Sequence, residues 1–196
     1  MPPPKIGLLG GSFNPAHAGH VYISKQAIKL LGLDEIWWLV SPQNPLKEKQ
    51  GMAEFENRLA IARQVAENCP QIKVSDFEIN SGTTYTYDTM LALKAEYPKN
   101  NFVWLMGADN LLQFPKWHKW QDIMEIMPIA VFNRGDLKEK ALTGEVAAKF
   151  AAYKINDAKQ LNYTNPPAWT FLDIEIHPAS ATKIRNDSST QDGFEK

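Results

Sequence analysis

A chain that passes from an apolar run through GGSFNPAHAGH into an amphipathic run has few ways to fold at that point. Ile6, Gly7, Leu8 and Leu9 precede the motif and read as a buried β-strand. Val21, Ile23, Ala27, Ile28, Leu30 and Leu31 follow it at the spacing of one helix face. Gly10 and Gly11, and then His17 and His20 flanking Gly19, therefore stand at a strand-to-helix crossing. In a parallel α/β sheet that crossing presents backbone N–H groups and a helix N-terminus to anions. Glycine admits sharp turns and close approach to the backbone, and the imidazoles add donors beside it. The combination points to a pocket for nucleotide phosphates.

The rest of the chain repeats the strand–helix alternation. Gly32 is a helix stop, and residues 36–40 (IWWLV) are continuously apolar, as in a strand covered on both faces. Residues 41–47 hold two prolines and read as loop. Phe55, Leu59, Ile61, Ala62 and Val65 form a helical stripe; residues 72–76 are a shorter strand; a helix from Thr86 to Tyr97 stops before Pro98. Residues 102–106, 129–132 and 171–174 are the remaining strands, and an alanine-rich helix spans 145–153. This order predicts an α/β fold with a doubly wound parallel sheet and helices on both faces. A single domain over residues 1–185 and a disordered polar tail over 186–196 are expected.

Composition removes several alternatives. The net charge of −1 supplies no field for nucleic acid, so polyanionic ligands require locally gathered positive charge. Cys69 is the one cysteine, so no internal disulfide forms, and it is expected to be inert. No apolar run approaches the ~20 residues of a membrane span, and residues 1–5 lack a signal-peptide core. A cytoplasmic address, with no membrane partner, is the expectation. His17 and His20 lack the spacing and companions of a zinc site.

Six polar clusters fall at strand ends, where such sheets bind ligands. They are Gly10 to His20, Asn44 to Lys47, Thr84 to Thr89, Gly107 to Asn110, Asn133 to Gly135, and Ser180 to Arg185. Together GGSFNPAHAGH, TYTYDTM, GADNLLQFPKWHKW and SATKIR resemble the bacterial nicotinate mononucleotide adenylyltransferases, over nearly the whole chain to about Arg185. These are nucleotidyltransferases with a His-x-x-His signature on a Rossmann-like sheet. The resemblance implies a reaction of NAD biosynthesis. AMP passes from ATP to nicotinate mononucleotide, giving nicotinate adenine dinucleotide and pyrophosphate, with Mg²⁺ held mainly by the ATP phosphates. Four positions depart from the pattern: Ser12 where Thr is common, Asn14 for Asp, Leu46 for His, and Ala181 for Ser.

The attacking acceptor phosphate is already ionised, so alignment and charge stabilisation are the protein's tasks. The resemblance assigns His17, His20 and Arg185 to the reacting phosphates. It assigns Gly10, Gly11, Ser12, Phe13, Gly19, Lys47, Gly107, Asp109, Ser180, Thr182 and Lys183 to ATP. Trp117 would stack on the nicotinate ring, and Arg134 or the backbone N–H of His118 would meet its carboxylate. Tyr85, Thr86 and Asp109 would hold the ribose and phosphate. Structural readings stand beside these. Asp109 and Thr86 suit helix caps, Trp117 suits the core, and Ser180 to Arg185 suits a capped final turn. Lys47 and Arg134 suit solvated charges, and the imidazoles of His118 and His177 suit structural or solvated roles. Trp37, Trp38 and Trp104 are assigned to the core. Nicotinamide mononucleotide or phosphopantetheine as acceptor, or a non-catalytic nucleotide sensor, are the competing functions. Homo-oligomerisation is left open.

Overall fold

A computed structural model of the chain describes residues 2–42, 51–133, 135–179, 181 and 184–185. Six parallel strands form one sheet in the order β3-β2-β1-β4-β5-β6. They are β1 (Lys5–Gly11), β2 (Glu35–Val40), β3 (Ile72–Ser75), β4 (Asn101–Gly107), β5 (Ile129–Phe132) and β6 (Trp169–Leu172). The helices are α1 (Ala18–Leu31), α2 (Phe55–Ala66), α3 (Phe77–Ser81), α4 (Thr86–Glu96), α5 (Ala108–Gln113), α6 (Trp120–Ile126), α7 (Lys138–Thr143) and α8 (Glu145–Lys149). Strand order reverses between β1 and β4, which leaves a crevice beyond their C-terminal ends.

Both faces of the sheet are covered, which is why its strands are apolar on consecutive residues. On one face α1 and α2 deliver Ala27, Leu31, Leu59 and Ala62 against Ile36, Trp38 and Leu105. On the other, Met90 and Leu93 of α4, Leu111 of α5 and Ile123 and Met124 of α6 pack on Leu8, Trp104 and Met106. Leu8 lies opposite Trp37 on one side and Trp104 on the other. Trp38 buries its indole completely because its N–H reaches Ser24 Oγ at 2.8 Å. Gly32 ends α1 in the left-handed conformation, φ 67° and ψ 41°.

Several elements differ from expectation. The glycines Gly10 and Gly11 belong to β1 itself, not to a turn. A Cβ on Gly10 would lie 2.6 Å from Trp104 Cη2, so this glycine makes room for the indole. The last strand begins at Trp169, two residues earlier than expected. Its register pairs Trp169 with Ile129, and its indole donates to the Phe150 carbonyl at 2.8 Å. Phe150 caps α8 after Lys149 through its own N–H, which donates to the Val146 carbonyl at 2.9 Å, and the helix expected to reach Tyr153 breaks into a separate 3₁₀ turn, Ala151–Tyr153. Thr86 is the first residue of α4 and not its cap; Tyr85 occupies that position in extended conformation with no side-chain cap bond. The short helix α3 was not anticipated. The expected tail lies outside the described residues. No described helix is long and apolar enough to cross a membrane.

Candidate active site

The crevice between β1 and β4 opens into a groove of about 320 Å³, a size ordinary for a small-molecule site. One end is built by the loop from β1 into α1. Gly10, Gly11, Ser12, Phe13, His17 and His20 all line it. Phe13 adopts φ 45°, a left-handed conformation that costs a non-glycine residue roughly 1–2 kcal/mol. Packing holds it there. The residue is 2% exposed; its ring stacks on Trp38 at 5.1 Å and meets His20 in a tilted contact at 4.8 Å.

The two histidines share a capping arrangement. His17 is the N-cap of α1, and its Nδ1 accepts from the Gly19 backbone N at 3.1 Å. His20 Nδ1 accepts from the His17 backbone N at 3.1 Å, closing the reciprocal half of the box. A backbone N–H can only donate, so Nδ1 of each ring is the acceptor and Nε2 carries the proton. The rings lie 4.0 Å apart at an interplanar angle of 43°. Two Nε2–H donors are thus held side by side at the N-terminus of a 14-residue helix. Gly19 permits this approach. A Cβ there would fall 2.8 Å from His17 Cε1 and 3.1 Å from the Ala179 carbonyl. Gly19 lines a smaller adjoining cavity instead of the main groove.

Buried Arg58, absent from the sequence reading, organises this end. It is 1% exposed and donates to the carbonyls of Ala53 (2.9 Å), Ser41 (2.8 Å), Pro42 (2.9 Å) and Ser12. Burial lowers its pKa from the ordinary arginine value, and Glu54 offsets this in part. Its position on the helical stripe of α2 gave no signal, because charged residues on such a helix usually face water. Asn14 ties the same loop to its neighbour, donating to Gly51 O at 3.0 Å and accepting from Ala53 N at 3.2 Å. Arg185 donates to the Asn14 carbonyl; it is exposed and does not itself line the groove.

The opposite end is aromatic and hydroxylated. Thr84, Tyr85, Thr86, Trp117 and His118 line it, with Gly107 and Asp109 between the two ends. Asp109 sits in the first turn of α5, whose N-cap is Gly107, so it is not the cap. Trp117 is half-buried; it meets Phe114 edge-on at 5.2 Å and also lines the groove. The His118 imidazole, expected to be structural or solvated, lies against Tyr85 at 4.6 Å, and His118 lines the groove. That of His177 packs on Tyr22 at 5.3 Å and accepts from Ala179 N. Trp104 is core by burial, at 3% exposure, yet its ring also lines the groove. Lys47, Arg134, Ser180, Thr182 and Lys183 lie outside the described residues. Glu78 lines the groove and is also absent from the sequence reading. It is 6% exposed, and burial pushes its carboxyl up to about 7 against hydrogen bonding from Ser41 and Thr89. Its signal was hidden because α3 is too short to show a period.

Comparison with known proteins agrees with this architecture. A family model described as cytidylyltransferase-like matches residues 8–187. A "probable nicotinate-nucleotide adenylyltransferase" of Parvibaculum lavamentivorans is 49% identical over 183 residues, covering 92% of this chain and 90% of the relative. One from Rhizobium johnstonii is 44% identical over 189 residues, covering 95% and 94%. The solved nicotinic acid mononucleotide adenylyltransferase of Plasmodium falciparum, complexed with NaAD, shares the fold. Its TM-score is 0.72 at 20% identity, over 93% of this chain and 83% of that one. Sheet order, crevice, histidine pair and sequence similarity converge: the chain belongs to the cytidylyltransferase-like family and, within it, to the nicotinate-nucleotide adenylyltransferases.

Proposed function

We propose that this protein transfers AMP from ATP to nicotinate mononucleotide, releasing pyrophosphate. The observation that carries the proposal is the paired Nε2–H groups of His17 and His20 at the start of α1, inside a groove whose far end is aromatic. An oxygen of the acceptor's monophosphate attacks the α-phosphorus of ATP. The new P–O–P bond forms as the bond to the β-phosphate bridge breaks, and pyrophosphate leaves. The nucleophile is already anionic, so no protein base is required. His17 and His20 donate to phosphate oxygens whose charge rises in the transition state, and α1 adds its N-terminal field. Trp117 offers a flat surface for the pyridine ring, while Tyr85, Thr86 and the His118 backbone N–H supply polar partners. Arg185 reaches the phosphate loop through Asn14 and contributes positive charge there.

Mg²⁺ fits this groove as an ion carried chiefly by phosphate oxygens. Among the described residues no three His, Cys, Asp or Glu side chains gather as a ligand set, and Asp109 is the groove carboxylate that would hold the ion. Bound there, the ion neutralises phosphate charge. Arg134, Lys47, Ser180, Thr182 and Lys183 keep the roles that their motifs imply.

The test is pyrophosphate release from ATP with each acceptor in turn. Turnover with nicotinate mononucleotide that exceeds turnover with nicotinamide mononucleotide and phosphopantetheine supports the reading. Faster turnover with either competitor overturns the choice of acceptor, and tight ATP binding without pyrophosphate release identifies a sensor.

A further inference from the structure

Glu78 is the groove residue for which the chemistry above has no use. It is buried in α3 and lines the groove. Two hydroxyls from separate elements stand beside it and oppose the upward push of burial, Ser41 beyond the end of β2 and Thr89 in α4. Each hydroxyl residue is anchored in turn. Ser41 donates its N–H to the Gly11 carbonyl at 2.9 Å, and its own carbonyl accepts from Arg58 at 2.8 Å. Thr89 Oγ1 stands 3.0 Å from Thr83 Oγ1 and 3.2 Å from the Tyr85 carbonyl; Thr83 Oγ1 is 3.0 Å from Ser81 Oγ. A single carboxyl therefore joins the strand ends beneath the phosphate loop to the segment that carries Tyr85 and Thr86.

Proton counting sharpens its role. Thr89 has one hydroxyl proton, and a carbonyl can only accept. An ionised Glu78 draws that proton to itself. A protonated Glu78 supplies its own and leaves Thr89 to donate to Thr83 Oγ1 and the Tyr85 carbonyl. Burial favours the protonated form, which also spares an anionic ligand the repulsion of a second anion.

We infer that Glu78 is a positioning residue for the monophosphate acceptor, its carboxyl setting the wall of the groove through Thr89 and Tyr85. The inference rests on the acceptor reading given under Proposed function. Other titratable groups line the groove: His17, His20, Asp109, Lys116, Tyr85 and His118. Of the neighbouring acids, Asp76 precedes α3 and pairs with Arg63 at 3.9 Å, and Asp88 lies in the first turn of α4. The acceptor's own phosphate titrates near pH ~6. A comparison of Glu78→Gln with the unmodified protein cancels all of these.

Steady-state kinetics with both substrates varied, from pH 6 to 8.5, test the inference. In the unmodified protein the acceptor KM rises more with pH than in Glu78→Gln, by about threefold or more, as an added charge–charge repulsion requires. Glu78→Ala raises the acceptor KM about tenfold, the worth of one lost hydrogen-bonded link, and leaves the ATP KM and kcat within about twofold. Parallel pH profiles for Gln and the unmodified protein overturn the inference, as does an equal loss in both KM values and kcat in the Ala variant. If Glu78→Ala fails to fold, the Gln profile decides alone. An unmodified protein that releases no pyrophosphate with nicotinate mononucleotide sinks the acceptor reading itself. An active one whose acceptor KM ignores both variants sinks only the role of Glu78.

Discussion

Each histidine of the signature caps backbone, and the proposed reaction gives it a second task that is separable by substitution. Nδ1 caps backbone, and Nε2–H is the donor the proposed reaction uses. Asparagine is a good N-cap but lacks the reach of Nε2. His17→Asn is expected to change unfolding free energy by less than about 0.5 kcal/mol in urea titration. The same variant lowers kcat by roughly 10²-fold through loss of a transition-state donor. His20→Ala loses both cap and donor, and kcat falls by about 10²–10³. Unchanged turnover in either variant removes that ring from the mechanism. The Asn14 departure also has a local reason. Its amide donates to Gly51 O and accepts from Ala53 N, and a carboxylate can only accept. Asn14→Asp therefore strands the Gly51 carbonyl and adds a negative charge beside the phosphates. Its expected signature is a higher ATP KM that falls again as salt screens the repulsion.

At the level of elements, the ends of β1 and β2 and the chain entering α2 are bound together by Arg58. Four carbonyls from three segments converge on one guanidinium. Arg58→Met fills the space but leaves these acceptors without their donor. It should cost at least about 3 kcal/mol in denaturant titration. Arg58→Lys recovers little, because one ammonium cannot match a planar fork aimed at four acceptors. Packing between strands is equally constrained. Gly10→Ala places a Cβ 2.6 Å from the Trp104 ring, and the indole must shift. Overpacking of this kind costs about 1–3 kcal/mol. Fluorescence of the displaced tryptophan and a lower Tm are the measurements that report it.

For the molecule as a whole, the burial of Glu78 couples stability to pH. Its carboxyl ionises near the ordinary 4.5 when unfolded, and burial pushes it up to about 7 when folded. Between these values the folded state binds more protons than the unfolded one, so stability falls as pH rises. The penalty is absent below pH 4.5 and complete above about 7. By linkage it amounts to about 3 kcal/mol as an upper figure. Glu78→Gln should abolish this slope, so that its stability relative to the unmodified protein improves steadily from pH 5 to pH 8. Denaturant midpoints across that range read the effect directly, and an unchanged slope would show that another group titrates.

How much of this was legible in the chain follows from the range over which each signal acts. Strands β1, β2, β4 and β5 are short apolar runs bounded by turn residues, and α1 carries its period over 14 residues. Their existence, their parallel arrangement and the glycine–histidine crossing are written in neighbouring residues, because hydrogen-bond period and capping are local physics. The boundary of β6 was not, since it depends on Trp169 reaching the Phe150 carbonyl 19 residues away. Nor was α3, whose five residues contain no full repeat. The amino-acid order alone determined a parallel α/β sheet with a glycine–histidine crossing at the end of its first strand. Only the tertiary structure decided that Arg58 and Glu78 face inward, because a charge is buried by what distant segments bring to meet it, and no local pattern encodes that meeting.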